Sequence, residues 1–304
     1  MERFQDPGNR LFELARQAAR PTRWWVVPLL LFLFSLAGAP GSFIPLESAA
    51  DAGLWWSAAE SVGFLTAAYM PVLLLVLLWI WRRERRRPSS LGLSPRGAVQ
   101  YSLYGFGFGA GMIGLGVALL ATSGNTSFTF DQTSTTGWIA LAPGLAVLGG
   151  WIVQGFTEEI MFRGWMLQNS GAQLGPIIGT SVSVFLFALA HIGNPGITPL
   201  GTLNLALIGI LFTLIALLEG GIWAASGFHI AWNWAQSNIF GFNVSGLEIG
   251  GGSLVQVVPT REGITGGEFG FEGSVAATTT ILIGIVLVLA LASRREEGGE
   301  EGLG

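Results

Sequence analysis

The chain has 304 residues, of which 51 % are hydrophobic and only 11 % are charged, and its mean hydropathy is +0.57. Soluble domains carry about 25 % charged residues, so this composition excludes an ordinary soluble domain and indicates a helical membrane protein with several spans. The absence of cysteine and lysine excludes disulfides, thiolate metal sites and lysine-dependent phosphate or Schiff-base chemistry. The net charge of −4 is small, and nucleic acid is not expected as a partner.

The N-terminal part of the chain predicts a polar segment and three membrane spans. Residues 1–23 mix arginines with apolar residues, which fits either a short interfacial helix or a frayed tail. Apolar runs of about 20 residues then predict spans at about 24–44, 57–81 and 98–121. The third span is rich in glycines that would allow close helix packing, namely Gly105, Gly107, Gly109, Gly111 and Gly114.

The C-terminal part predicts five further spans. The first of them is too long for an upright span, and a glycine-rich loop of about thirty residues, 241–273, precedes the last. An acidic glycine tail ends the chain. These five spans are predicted at about 137–168, 174–192, 200–218, 222–240 and 274–292. We therefore expect an all-α polytopic transmembrane bundle of about eight spans.

The placement of arginine predicts the orientation of the chain. If the N-terminus is cytoplasmic, every arginine except Arg163 and Arg261 falls on the inner side, including the run at 82–87. Cytoplasmic loops of membrane proteins carry such an excess of arginine. The sequence thus predicts a multi-pass protein of the cell membrane, surrounded by lipid, with both termini cytoplasmic.

A cluster of charges lies within the fourth predicted span. Glu158, Glu159 and Arg163 are embedded in apolar sequence, where each charge costs roughly 2.5–3.5 kcal/mol on insertion scales. On a helix, Glu159 and Arg163 are spaced i,i+4 and can pair, whereas Glu158 points about 100° away. We therefore expect a structural Glu159–Arg163 pair and an unpaired Glu158 that faces an inner cavity.

Both histidines of the chain lie in apolar segments that follow this cluster. His191 ends the fifth predicted span, and His229 lies in the seventh, on the same helix face as Asn233. Ionisable residues within spans usually face the interior of the bundle. A site shared by the fourth, fifth and seventh spans is therefore expected.

Two kinds of hydrolytic chemistry fit this set of side chains. An unpaired glutamate in an apolar cavity can act as a general base with a histidine beside it, while a His/Asn pair stabilises an oxyanion. Alternatively, Glu158, His191 and His229 could ligate zinc, because two imidazoles and a carboxylate form a known catalytic set. The residue types alone leave both possibilities open.

Three motifs in this order resemble the CPBP family of intramembrane proteases. They are Glu-Glu-x-x-x-Arg at 158–163, Phe-x-x-x-His at 187–191 and His-x-x-x-Asn at 229–233. The family includes type II CAAX prenyl endopeptidases and bacteriocin-processing or immunity proteins, and both metal-dependent and glutamate mechanisms have been described for it. The resemblance covers about residues 137–240.

The resemblance implies a role for each matching residue. Glu158 would activate water with His191, His229 and Asn233 would form the oxyanion hole, and Glu159 and Arg163 would support the site. The implied activity is that of an intramembrane endopeptidase that cleaves a membrane-anchored or lipidated peptide or protein, including a prenylated CAAX-type substrate.

On this basis the chain divides into four parts. They are a cytoplasmic segment at 1–23, spans one to three at 24–136, a CPBP-like catalytic core at 137–240, and the outer loop, last span and tail at 241–304. Two other functions stay open: a proton-coupled transporter, because buried Glu, His and Arg also form proton relays, and a non-catalytic scaffold or immunity protein.

Overall fold

A computed structural model describes residues 2–129 and 135–300 of the chain. Residue 1, residues 130–134 and the last four residues of the predicted acidic tail lie outside this part.

The described residues form thirteen α-helices and two short strands, together with 3-10 and π segments that extend several of the helices. The α-helices are α1 Glu2–Gln5, α2 Arg10–Arg16, α3 Val26–Ser35, α4 Ala49–Ala52, α5 Leu54–Trp79, α6 Ala98–Thr122, α7 Leu141–Glu159, α8 Gln168–Leu174, α9 Pro176–Ala190, α10 Pro199–Glu219, α11 Trp223–Trp234, α12 Glu262–Thr265 and α13 Val275–Glu300. The 3-10 segments are Leu36–Phe43, Pro88–Leu91, Trp138–Ala140, Gly267–Phe269 and Phe271–Gly273, the π segments are Ile80–Glu84, Ile160–Leu167 and Ala235–Ile239, and the strands are β1 Thr126–Thr129 and β2 Gln256–Pro259.

The predicted all-α membrane bundle is confirmed, but the number of full-length spans differs from the prediction. All eight predicted spans are helical, yet six helices of the described residues are long and apolar enough to cross a membrane by length and composition. The predicted fifth span is shorter because α9 begins at Pro176, after a glycine with φ of 91°, and ends before His191. The predicted seventh span at about 222–240 is formed by α11 and the π segment Ala235–Ile239 that continues it, and most of its residues are buried.

The N-terminal segment packs on the bundle as a helix and is not a frayed tail. Asn9 caps α2 by accepting a hydrogen bond from the Leu11 N–H, and its own side-chain amide donates to the Leu217 carbonyl at 2.9 Å. Leu11 and Phe12 are fully buried. These contacts anchor α2 to the end of α10 and to α8.

Glycines of α6 allow α11 to approach unusually closely. A Cβ added at Gly105 would lie 1.9 Å from the Ala224 carbonyl oxygen, and one at Gly109 would lie 2.4 Å from that of Phe228. Gly107, Gly111 and Gly114 have no neighbour within 4 Å at that position. Two of the five glycines singled out in the sequence therefore set this contact. The helix that they allow to approach, α11, carries His229 and Asn233.

One residue of the arginine run at 82–87 is buried in the protein. Arg86 donates to Glu84 at 3.1 Å and also to Ser90 and Gln168, while Glu84 accepts from the Trp165 indole at 2.9 Å. Burial lowers the pKa of Arg86 and Glu84 opposes this shift. These hydrogen bonds fix the end of α5 against the helix that carries the Glu-Glu motif, which is α7 continued by the π segment Ile160–Leu167.

The glycine-rich loop at 241–273 is folded against the bundle. Its strand β2 pairs antiparallel with β1, so that Thr129 lies opposite Gln256 and Ser127 opposite Val258. Gly250 and Gly251 donate backbone hydrogen bonds to Ser61 and Ser57 of α5. The loop therefore connects α5 with the last helix, and it lies close to the predicted site.

Candidate active site

The structure brings the four predicted catalytic side chains to one cavity. Glu158 lies near the end of α7, His191 directly follows α9, and His229 and Asn233 project from α11. All four line an internal cavity of about 50 Å³. Such a volume holds roughly three to five water molecules at about 10–15 Å³ each.

Glu158 lines the cavity with a carboxylate that has no arginine partner among the described residues. Its side chain is buried, and its Oε2 atom has no hydrogen-bond partner among the described residues. The nearest basic atom recorded for it is Nε2 of His229, at 3.8 Å from Oε2, which is beyond hydrogen-bond distance. A buried carboxylate oxygen without a donor is costly, and such atoms are typical of functional sites.

Glu159 binds two partners through a single oxygen. Its Oε1 atom accepts from Nη1 of Arg163 at 2.8 Å and from Nδ1 of His229 at 2.9 Å. Arg163 also donates through Nη2 to the Gly209 carbonyl at 3.2 Å, and it is fully buried. The structure thus contains the Glu159–Arg163 pair expected from the sequence, and it adds His229 to that pair.

Two aromatic rings connect Arg163 with the histidines. The guanidinium of Arg163 lies 4.5 Å from the ring centre of Phe187 and 5.0 Å from that of Phe212. Phe212 stacks on His229 with ring centres 4.8 Å apart, and Phe187 lies 4.8 Å from His191. Packing therefore restricts both imidazole rings, which is what a preorganised site requires.

His191 has one nitrogen committed to the backbone. Its Nδ1 atom lies 2.8 Å from the Phe187 carbonyl oxygen, one turn earlier in α9. A carbonyl only accepts hydrogen bonds, so Nδ1 carries a hydrogen and Nε2 is the nitrogen left to act on water or substrate. The site thus has one imidazole held by a carbonyl and one held by a carboxylate.

Asn233 is oriented by a neighbour that the three motifs do not include. Its Nδ2 atom donates to Oε1 of Gln154 at 2.9 Å, which uses one of the two amide hydrogens. The hydroxyl of Tyr69 lies beside both Gln154 and Glu158. Gln154 and Tyr69 therefore connect the amide of Asn233 with the carboxylate of Glu158.

The glycine-rich loop contributes a second carboxylate to the cavity. Glu272 is buried, and its Oε2 atom accepts from both the backbone N–H and the hydroxyl of Ser245, each at 2.7 Å. Burial raises the pKa of Glu272, while the hydrogen bonds from Ser245 and the two histidines oppose that shift. Both residues line the cavity with Asn194.

A larger apolar groove adjoins the cavity. It has a volume of about 680 Å³. It lies between α3 and the following 3-10 segment, α5, α9, and the helix that α7 forms with the π segment Ile160–Leu167. The groove and the cavity share Tyr69, Glu158, His191, Asn194 and Leu247. A substrate segment in the groove would therefore reach Glu158 and His191 directly.

The three side chains considered for zinc do not form a metal-ligand set in the part of the chain that the structure describes. No three His, Cys, Asp or Glu side chains there group closely enough to hold a metal ion. In both histidines Nδ1 is bound to an oxygen and Nε2 is left, an arrangement that a metal ligand and a histidine acting on water share.

Several cavity residues were not identified from the sequence. Gln154 could have been, since it lies one turn before Glu158 on the same helix face. Tyr69, Ser245 and Glu272 could not, because they come from other parts of the chain and have no spacing that relates them to the motifs. Asn194 lies three residues after His191, and this spacing alone is a weak indication that it belongs to the site.

Comparison with known families gives a match over the region that contains the candidate site. A sequence model of the family described as "Type II CAAX prenyl endopeptidase Rce1-like" matches residues 140–235, which contain Glu158, His191, His229 and Asn233. No curated protein and no solved structure matches the chain. The resemblance noted in the sequence is thus confirmed: residues 140–235 of this multi-pass membrane protein match the Rce1-like family of type II CAAX prenyl endopeptidases.

Proposed function

We propose that this protein is an intramembrane endopeptidase that hydrolyses a peptide bond of a membrane-anchored substrate. At the level of the family, the Rce1-like core supports a membrane protease. The observation that carries the proposal is the unpartnered Oε2 atom of Glu158, buried in a cavity that also contains His191, His229 and Asn233.

In the proposed reaction, Glu158 is the general base. Its Oε2 atom is available to take a proton from water, and His191 can accept a hydrogen bond from the same water through Nε2. The water then attacks the scissile carbonyl, and the proton held by Glu158 passes to the leaving amine. Positioned acid–base catalysis of this kind contributes typically about 10²–10⁴-fold to the rate.

His229 and Asn233 stabilise the oxyanion of the tetrahedral intermediate. Asn233 keeps one amide hydrogen after its bond to Gln154, and His229 can donate through Nε2 when it is protonated. Its Nδ1 hydrogen bond to Glu159 holds the imidazole ring in place, as a carboxylate does behind the histidine of a serine protease. Glu159 and Arg163 therefore act as positioning residues.

The apolar groove is the proposed binding site for the anchored part of the substrate. Its walls are mainly apolar side chains of the first, second and fifth predicted spans, and a lipid chain or an apolar helix would bury them. This supports a lipidated or membrane-embedded peptide as the substrate, with prenylated CAAX-type proteins as one class to be tested.

The orientation of the chain stays a proposal based on the arginine bias. We propose that both termini are cytoplasmic. Reporter fusions at each terminus and in the loop at 241–273 would test it. Cytoplasmic signals at both ends and a periplasmic or extracellular signal in the loop are expected, and the reverse pattern would contradict the proposal.

The test uses purified protein in liposomes with a library of quenched fluorescent, lipid-anchored peptides. Glu158→Gln should lower kcat/KM by about 10³-fold, because it removes the base while keeping the shape of the side chain. Glu60→Gln is the matched control, since Glu60 lies on a spanning helix, accepts from the Trp56 indole at 2.7 Å and does not line the cavity. Thermal melts would check that all three proteins are folded.

The outcomes separate the proposed enzyme from its rivals. Cleavage by the wild type and by Glu60→Gln, but not by Glu158→Gln, is the result expected for a protease. A scaffold or immunity protein would keep its cellular function after Glu158→Gln, and equal cleavage by all three proteins would remove Glu158 as the base.

A further inference from the structure

Six exposed arginines surround the place where the end of α5 meets the segment that leads into α3. Two of them precede α3, and four belong to the run at 82–87 at the end of α5. We call these six residues the arginine surface: Arg20, Arg23, Arg82, Arg83, Arg85 and Arg87.

Hydrogen bonds hold the two segments of the arginine surface against each other. The Arg83 guanidinium donates to the Arg20 carbonyl at 3.1 Å, although the two residues are 63 positions apart. The Ala19 N–H donates to the Glu84 carbonyl at 3.1 Å, and the Thr22 hydroxyl donates to the Glu84 carboxylate. Folding therefore adds the charges of the first segment to those of the second, which the sequence alone does not place together.

The arginine surface has no carboxylate partner in the part of the chain that the structure describes. The arginine ion pairs there are Arg86 with Glu84 and Arg163 with Glu159, and both pairs are buried. Because Glu84 and Arg86 point inward and bind each other, the run at 82–87 presents arginines and no acid at its exposed face. Such a concentration of one charge attracts anions.

Exposed tryptophans lie at the same helix ends. Trp24 and Trp25 directly precede α3, and Trp81 lies at the end of α5 with 57 % of its surface exposed. The guanidinium of Arg82 lies 4.3 Å from the ring centre of Trp81. Tryptophans at the ends of membrane spans are typical of the headgroup level of a bilayer. The arginine surface therefore lies where lipid headgroups would contact it.

The chemistry of arginine favours a phosphate as the anion. A guanidinium can donate two parallel hydrogen bonds to phosphate oxygens, and clusters of four to eight basic residues beside a span are typical of anionic-lipid binding. A signal for chain orientation requires arginines on one side of the membrane, but it does not require two segments to meet with every guanidinium free of acids. Lipid phosphate is the anion that the membrane itself supplies at this level.

From these observations we propose that the arginine surface binds the phosphate headgroups of anionic membrane lipids. A lipid bound there contacts both the start of α3 and the end of α5, two helices that form walls of the apolar groove. It therefore stabilises their packing. This inference does not depend on the proposed endopeptidase function.

The experiment titrates purified protein in neutral detergent with phosphatidylglycerol, and in parallel with phosphatidylcholine that has the same acyl chains. Native mass spectrometry measures the dissociation constants, and thermal melts measure stabilisation. Phosphatidylglycerol should bind at least about tenfold more tightly and raise the melting temperature, because several arginines each contribute to its attraction. Added salt should weaken its binding, since exposed charges are screened.

Two double variants test the location of the site. Arg82→Gln combined with Arg87→Gln should weaken phosphatidylglycerol binding by about tenfold or more and leave phosphatidylcholine binding unchanged. Arg96→Gln combined with Arg261→Gln is the matched control, because it removes the same charge from exposed arginines outside the arginine surface. It should bind phosphatidylglycerol within about twofold of the wild type. Melts without added lipid would check that both variants are folded.

Three results would overturn the proposal. Equal binding of the two lipids by the wild type would show that the headgroup charge is not recognised. Equal weakening in the two double variants would assign the effect to net charge and not to the arginine surface. Stabilisation by inorganic phosphate at the same concentrations as by phosphatidylglycerol would identify a site for free phosphate in place of a lipid site. No peptide enters these measurements, so a failed protease assay leaves their outcome unchanged.

Discussion

The Nδ1 atom of His229 lies 2.9 Å from Oε1 of Glu159, the same oxygen that accepts from Arg163. The motif Glu-Glu-x-x-x-Arg is therefore joined to the motif His-x-x-x-Asn by a direct hydrogen bond between two helices. Glu159 orients a histidine, and Glu158, which has no arginine partner among the described residues, is the carboxylate that we propose acts on water. The adjacent glutamates have different partners because their side chains leave the helix in different directions.

The first prediction concerns Glu159→Gln. A glutamine at this position can still bind Arg163 or His229, but it cannot hold a protonated imidazole through a charge. We expect kcat to fall by about 10²–10⁴-fold with little change in KM, as when the carboxylate behind a catalytic histidine is replaced by an amide. Steady-state kinetics in liposomes would measure this. An unchanged kcat would show that His229 works without the carboxylate.

The second prediction concerns Arg163→Met, which keeps an unbranched apolar stem and removes the charged guanidinium. Glu159 would then be buried without its cation, and breaking a buried pair in this way costs about 3–5 kcal/mol of folding free energy. We expect a clearly lower melting temperature in detergent, together with loss of activity. Arg83→Met is the control, because Arg83 is exposed and donates only to the Arg20 carbonyl. Equal melting of both variants would contradict the structural role of Arg163.

The third prediction uses two glycines of the same helix. Gly105→Ala would place a methyl group 1.9 Å from the Ala224 carbonyl oxygen, so α11 must move away from α6. Forcing extra volume into a packed contact costs typically about 1–3 kcal/mol. Because α11 carries His229 and Asn233, we also expect cleavage to fall by about tenfold or more.

Gly107→Ala is the matched control for this change. Gly107 lies on the same helix with no atom within 4 Å of the added methyl group, so stability should be equal or slightly higher, since alanine favours helix. Thermal melts and kcat/KM of the two variants would be compared side by side. A similar loss in both would show that helix propensity, and not the contact with α11, explains the effect.

Much of the fold follows from hydropathy alone. Continuous apolar runs predict every long helix, because backbone groups within lipid must be satisfied inside the helix itself. Whether a helix faces lipid or other helices could not be predicted in this way. An apolar run has the same composition whether it faces lipid or other helices, and α11 is apolar because it is enclosed by protein.

The candidate site likewise has one part that could be predicted from the sequence and one that could not. Glu158, Glu159 and Arg163 could be related to one another because a single helix fixes their directions. The hydrogen bond from His229 to Glu159 and the position of Glu272 depend on how separate parts of the chain pack. No residue spacing along the sequence encodes this packing. Glu272, in a glycine-rich loop before the last helix, has the sequence context of an ordinary loop acid until Ser245 is seen beside it.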